Sequence, residues 1–110
     1  MRDYVCPVEI TLSVIGGKWK PVILYHLRKK TCRFNELRRL MPGVTHKMLA
    51  QQLNELERDN LIHREVFDEM PLRVEYSLTL FGQSLTPILE AMSRWGSDNR
   101  DVLANAVSEI

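Results

Sequence analysis

Arg33-Phe34-Asn35-Glu36-Leu37-Arg38-Arg39-Leu40-Met41-Pro42-Gly43-Val44-Thr45-His46-Lys47-Met48-Leu49-Ala50-Gln51-Gln52-Leu53-Asn54-Glu55-Leu56 is the stretch on which the architecture turns. Phe34, Leu37 and Leu40 recur at helical spacing, with Asn35 the expected N-cap and Glu36 in the first turn. Pro42 disfavours the α conformation at Met41, and Gly43 permits a positive φ, so the helix breaks there. Thr45 is then the expected cap of a second helix reaching about Asp59, with Asn60 a left-handed terminator. Two short helices joined by a tight Pro-Gly turn spell a helix-turn-helix.

Working outward, Ile62 to Phe67 and Arg73 to Leu78 read as two strands around Asp68-Glu69-Met70-Pro71-Leu72. Val74, Tyr76 and Leu78 alternate with Arg73, Glu75 and Ser77, which predicts a hairpin with one buried face. Such a hairpin after a helix-turn-helix is a wing. On the C-terminal side, Thr79 is expected to cap one long helix striped by Leu85, Ile88, Leu89, Met92 and Trp95 and kinked at Pro87. A short last helix follows with Val102, Leu103, Ala106 and Val107 apolar. On the N-terminal side, Pro7 opens a helix whose Val8, Leu12 and Ile15 share a stripe, and Gly16 and Gly17 end it. A denser apolar helix starts near Pro21 with Trp19 at its entrance. The expected fold class is mainly α with a small β-hairpin. One winged helix-turn-helix domain fills residues 1–110, with a core at about 18–79 flanked by terminal helices at about 7–16 and 79–108.

Composition limits what such a domain can do. The 110 residues suffice for one core, and 45% hydrophobic and 26% charged residues are those of a folded globule. The longest apolar run, Val22 to Tyr25, is far too short for a membrane span, and the N-terminus lacks a signal-peptide core, so a cytoplasmic protein with no membrane partner is expected. The net charge of +1 by itself argues against a nucleic-acid partner, but it is an average over unlike segments. Residues 1–17 carry −1, residues 18–64 carry +7 from eleven Lys and Arg against four acids, and residues 65–110 carry −5. A basic centre between acidic ends marks a partner surface.

A helical wheel locates that surface. With about 100° per residue, Leu49, Leu53 and Leu56 fall within an arc of roughly 60°, and Lys47, Gln51, Asn54 and Arg58 lie opposite, without an acid among them. Gln and Asn can pair bidentately with adenine, and Lys or Arg can reach guanine acceptors or phosphate. The N-terminal end of this helix, with Thr45 and His46, suits a backbone phosphate. A polar helix face is most often simply solvated. Here the turn, the hairpin and the basic segment favour a base-reading face, with Lys47, Gln51 and Asn54 on bases and Arg33, Thr45, His46, Arg58 and Arg73 on phosphates. Asp68 and Glu69 would repel phosphate at the wing tip, which leaves Arg73 at its base as the wing contact or as a plain solvent-exposed arginine.

Gly16-Gly17-Lys18-Trp19, Arg33-Phe34-Asn35-Glu36-Leu37-Arg38-Arg39, Pro42-Gly43-Val44, Lys47-Met48-Leu49, Leu53-Asn54-Glu55-Leu56 and Val74-Glu75-Tyr76-Ser77-Leu78-Thr79 together resemble the HxlR family of bacterial transcriptional regulators, relatives of the MarR group. The resemblance covers roughly Cys6 to Trp95. It implies a homodimer, as repressor or activator, whose first and last helices form the interface and whose recognition helices enter successive major grooves of a pseudo-palindromic operator in double-stranded DNA. Surplus apolar surface agrees with a self-partner, and Val8, Leu12, Leu89, Met92, Trp95 and Leu103 are the expected interface residues.

Several members of the family sense electrophiles or oxidants through a cysteine just before the first helix, where Cys6 stands. A thiol there stands at the positive end of the helix dipole, a setting that suits a reactive sulfur; a free cysteine without a regulatory role is the equal alternative. Cys32 reads as a small buried apolar residue. His26, His46 and His63 show no metal-ligand spacing with the cysteines, and Trp19 and Trp95 read as core or interface anchors. No P-loop, paired-carboxylate site or nucleophile with an adjacent base is present, so neither enzymatic activity nor a cofactor is expected. Besides an operator-binding dimer, a winged-helix module that docks an acidic protein fits the same scaffold.

Overall fold

A computed structural model describes residues 5–105. Helix α1 (Pro7–Ile15) opens with Pro at its start and leads through Gly16 and Gly17 into α2 (Lys20–Leu27), the central helix, which buries Ile23, Leu24 and Leu27. Strand β1 (Cys32–Arg33) precedes α3 (Phe34–Leu40), and the turn to α4 (His46–Arg58) runs through Gly43 at φ 94°. Strands β2 (Ile62–Phe67) and β3 (Arg73–Leu78) form the wing, and α5 (Leu80–Gln83) and α6 (Thr86–Asp98) complete the described elements. The sheet is antiparallel with β3 in the middle, Cys32 pairing with Tyr76 and Ile62 with Leu78.

Mostly helical with a small antiparallel sheet, this is the winged helix-turn-helix architecture. Its core joins every layer. Leu37 of α3, Leu49, Leu53 and Leu56 of α4, Leu61 and Ile62 at the wing entrance and Leu89 of α6 close over α2. At roughly 25 cal/mol per Å² of apolar surface, each such side chain contributes about 1.5–3 kcal/mol, so α4 is held mainly by its leucine stripe. Thr45 fixes its start, the hydroxyl accepting from the Met48 N–H at 3.0 Å, and Asn60 ends it at φ 67°.

Several local expectations are corrected. The N-cap of α3 is Arg33 rather than Asn35, because the Glu36 carboxylate at the third helical position accepts the Arg33 backbone N–H at 2.8 Å and sets the start two residues earlier. Leu40 is exposed and Met41 buried in its place, since Met41 leaves the helix at φ −126°, ψ 69° and turns inward. The hairpin gains a third strand, β1, too short to show a pattern. The long C-terminal helix is two helices: Thr79 caps only α5, accepting from the Gly82 N–H at 2.9 Å, and Pro87 lies in the first turn of α6 instead of kinking an interior. Without an N–H, Pro87 cannot continue the helix from Gln83, but its fixed φ suits a new start. After α6 the chain turns at residues 101–103 and is helical again at 104–105, whereas Ala106 and Val107 lie outside the described residues.

Candidate nucleic-acid interface

Burial of Leu49, Leu53 and Leu56 decides which way α4 faces. Lys47, Gln51, Asn54 and Arg58 are all exposed on its other side. At 1.5 Å per residue its 13 residues make a rod of about 20 Å, long enough to lie in a major groove. The exposed His46 ring packs on Phe34 of α3 with centroids 4.5 Å apart, which ties the first turn of α4 to the start of α3. The Thr45 hydroxyl accepts the cap hydrogen bond and keeps its own O–H for an outside acceptor. Arg33 is exposed and lines an open cleft of about 420 Å³ between α3 and the wing, with Asn35, Arg39 and Leu72.

Three side chains are engaged in ways the sequence did not show. Arg58 has Asp59 beside it at 3.4 Å, yet its side chain is 68% exposed, and such a surface pair is worth only about 0–1 kcal/mol, so the guanidinium can exchange partners. Arg73 is far more committed. Its Nε meets Glu69 at 2.9 Å and its Nη1 meets Glu75 at 2.6 Å, with the guanidinium 3.8 Å from the Phe67 ring centroid. It braces the wing by pairing with two of its acids. The alternation of Arg73 and Glu75 along β3 already put them on one face, which is the signal that could have found this pair.

Lys20 was unmarked in the sequence and is buried. Its Nζ lies 2.6 Å from Glu55 Oε1, and the other Glu55 oxygen accepts from Gln51 Nε2 at 3.2 Å. The hydrogen bond from Lys20, then that from Gln51, holds the Glu55 carboxyl below the usual carboxylate range. Glu55, the acid beside this exposed face of α4, is therefore ionised and already compensated.

The thiols occupy opposite environments. Cys6 is exposed at the N-cap of α1, where its backbone N–H donates to Glu9 at 3.0 Å. Cys32 is 1% exposed, and burial together with the Glu36 carboxylate pushes its thiol up, so it stays protonated. Of the expected interface residues, Val8, Leu12, Met92 and Trp95 stand exposed, Leu103 is half-buried, and Leu89 is spent on the protomer's own core at 2% exposed. Ile88 joins the open stripe, and a groove of about 390 Å³ runs between Val8, Leu12 and Ile15 of α1 and Ile88 and Met92 of α6. No helix among the described residues is long and apolar enough to cross a membrane.

Comparison with known proteins agrees with this architecture. The family model described as HxlR-like helix-turn-helix matches residues 14–103. The helix-turn-helix-type transcriptional regulator YybR of Bacillus subtilis is 56% identical over 98 residues, which is 89% of this chain and 78% of that protein. Solved structures of the redox regulator HypR superpose closely. The reduced form has a TM-score of 0.85 at 54% identity over 91% of this chain and 99% of that one. The oxidised form has 0.83 at 54% over 86% and 97%. With the helix-turn-helix, the wing and the matched motifs in register, the chain belongs to the HxlR family of helix-turn-helix transcriptional regulators.

Proposed function

We propose that the protein is a homodimeric regulator that binds a pseudo-palindromic operator in double-stranded DNA in the cytoplasm, with Lys47, Gln51 and Asn54 on base edges and Arg33, Thr45, His46 and Arg58 on phosphates. The observation that carries this is the exposed, acid-free face of α4 set opposite a fully buried leucine stripe and started by a capped N-terminus. Arg73 is removed from the contact set because two carboxylates of its own wing hold it.

The apolar stripe of Val8, Leu12, Ile88, Met92 and Trp95 on neighbouring helices supports pairing with a second copy. A two-fold axis there would present the two α4 helices about one DNA turn, ~34 Å, apart. Gel-shift titration against the promoter of the adjacent gene tests the reading. A dimer selects one duplex over random DNA, and Gln51→Ala loses discrimination at one position by about 1–3 kcal/mol. Equal binding to all duplexes, or none at low salt, would leave the protein-docking alternative.

Exposed Cys6 lies two residues before Val8 of that stripe, and its modification would shift the two reading heads relative to each other. HypR, a redox regulator by name, is similar over most of the chain. An electrophile is the effector class that fits. The Cys6 thiol would add across a C=C bond of a quinone, forming an S–C bond while its proton passes to the ring, which becomes a hydroquinone, and this adduct would release the operator from the native protein but not from Cys6→Ser. Unchanged affinity after verified Cys6 modification refutes the switch.

A further inference from the structure

The structure assigns a positioning role to Lys20 and Glu55: together they fix the orientation of the Gln51 amide, so base discrimination depends on a lysine of α2 that points into the protein rather than toward DNA. The inference rests on the proposed reading of Gln51 as a base contact.

A glutamine on a helix surface is a poor reader by default. It has three side-chain torsions to sample, and its amide can turn either edge outward, so every contact costs rotamer entropy. Bidentate pairing with adenine needs the carbonyl oxygen and one N–H presented together. Here Gln51 Nε2 gives one N–H to Glu55 Oε2 at 3.2 Å, one helical turn away. Only the NH₂ side can donate to a carboxylate, so this bond determines which edge faces out, with the second N–H and Oε1 left over.

Glu55 can act as a fixed point because its other oxygen is held at 2.6 Å by Lys20, whose side chain is only 10% exposed. Lys20 is the first residue of α2, and α2 is the helix on which the rest of the core is packed. The chain of contacts thus runs from the rigid centre of the protein to the amide. Lys20 does a second thing. An ionised Glu55 beside the reading face would repel phosphate if it stood alone, and its partner cancels that charge.

The test is competition binding with the footprinted operator and its single-base-pair variants. Gln51→Ala first identifies the base pair read by Gln51. Glu55→Ala and Lys20→Met are each expected to lower discrimination at that same pair by about tenfold, the scale of a freed glutamine side chain. The slope of log affinity against log salt should stay unchanged. Adding Glu55→Ala to Gln51→Ala should cost no further discrimination, and Lys20→Arg should restore it. A loss shared equally by all duplexes with discrimination at that pair intact, or a further loss of discrimination in the Gln51→Ala background, overturns the positioning role. Gln51→Ala without effect overturns the base contact as well, whereas an effective Gln51→Ala with an indifferent Glu55→Ala overturns the positioning alone. Where a single variant fails to fold, Lys20→Met combined with Glu55→Ala leaves no unpaired buried charge and is read the same way. The native protein offers an independent measure: the Gln51 side-chain amide should show one exchange-protected proton by NMR, and two equally exposed protons refute the hold.

Discussion

The salt dependence of operator binding distinguishes a wing that grips DNA from one that only braces itself. Each phosphate neutralised by a lysine or arginine on duplex DNA contributes about −0.9 to the slope of log affinity against log salt. Arg33 and Arg58 are the guanidinium groups proposed for phosphates, four in a dimer, for a contribution of about −3.6. Counting Arg73 would raise that to about −5.4. Between 50 and 200 mM salt the two values correspond to losses of roughly 150-fold and roughly 2000-fold. The structure favours the smaller, because Arg73 sits 2.9 Å from Glu69 and 2.6 Å from Glu75, whereas Arg58 is itself exposed and pairs, among the described residues, with Asp59 alone, at 3.4 Å. Other exposed cations such as Arg38 and Arg39 can only steepen the total, so differences between variants carry the test. In fluorescence-anisotropy titrations from 50 to 200 mM salt, Arg58→Ala should flatten the slope by about 1.8, and Arg73→Ala should leave it unchanged. Arg73→Ala should nevertheless weaken binding on every duplex, since it releases two carboxylates beside the DNA. A flattening by about 1.8 in Arg73→Ala would show that the wing pairs open on binding, and no change in Arg58→Ala would remove Arg58 from the contacts.

Three other outcomes follow from the geometry. Gly82→Ala drives a Cβ into the Leu61 carbonyl oxygen at the junction of the wing and α5, and should destabilise the fold by at least about 1–3 kcal/mol in urea denaturation; an unchanged midpoint refutes the close approach. The Glu36 carboxyl is held below its usual value, chiefly by the Arg33 backbone N–H, so its stabilisation is complete above the unfolded-state value near 4.5 and is lost as pH falls through the lower folded-state value. Glu36→Gln should therefore flatten the acid limb of stability against pH, measured by urea midpoints from pH 7 to 3. An aromatic disulfide reagent should label Cys6 at once and Cys32 only on unfolding, and two rapid equivalents of labelling would contradict the burial of Cys32.

The elements that could be read from the sequence are those whose cause is local. Pro42 and Gly43 break a helix, Thr45 starts one, and the alternation from Val74 to Leu78 marks a strand wherever the rest of the chain lies. Cys32–Arg33 could not be read as a strand, because two residues have no period and pair with β3 only after more than forty intervening residues have folded. Leu40 and Met41 exchange roles for a similar reason: periodicity extends a helix past the point where the Pro-Gly turn bends it. Lys20 looked like any surface cation beside a proline, and its burial exists only once α4 brings Glu55 against α2.

The same distinction revises the meaning of the basic segment. Its charge of +7 is a count along the chain, whereas attraction to DNA depends on where each cation ends up. Lys20 is spent on Glu55, Lys30 pairs with Glu36 at 3.4 Å, and Arg28 packs over Tyr25 with Glu90 at 4.0 Å. Outside the segment, Arg73 pairs with Glu69 of the wing tip and with Glu75, and Asp68 lies outside those pairs. The +7 already subtracts Glu36 and Glu55, so the pairs within the segment leave its net charge unchanged and instead reduce the number of its cations that can meet phosphate. Direct contact with phosphate then falls to fewer cations than the sequence offers, and discrimination falls to the few side chains that α4 holds in place. That is why the largest loss of specificity is expected from positions such as Gln51 and Glu55, which change no phosphate contact.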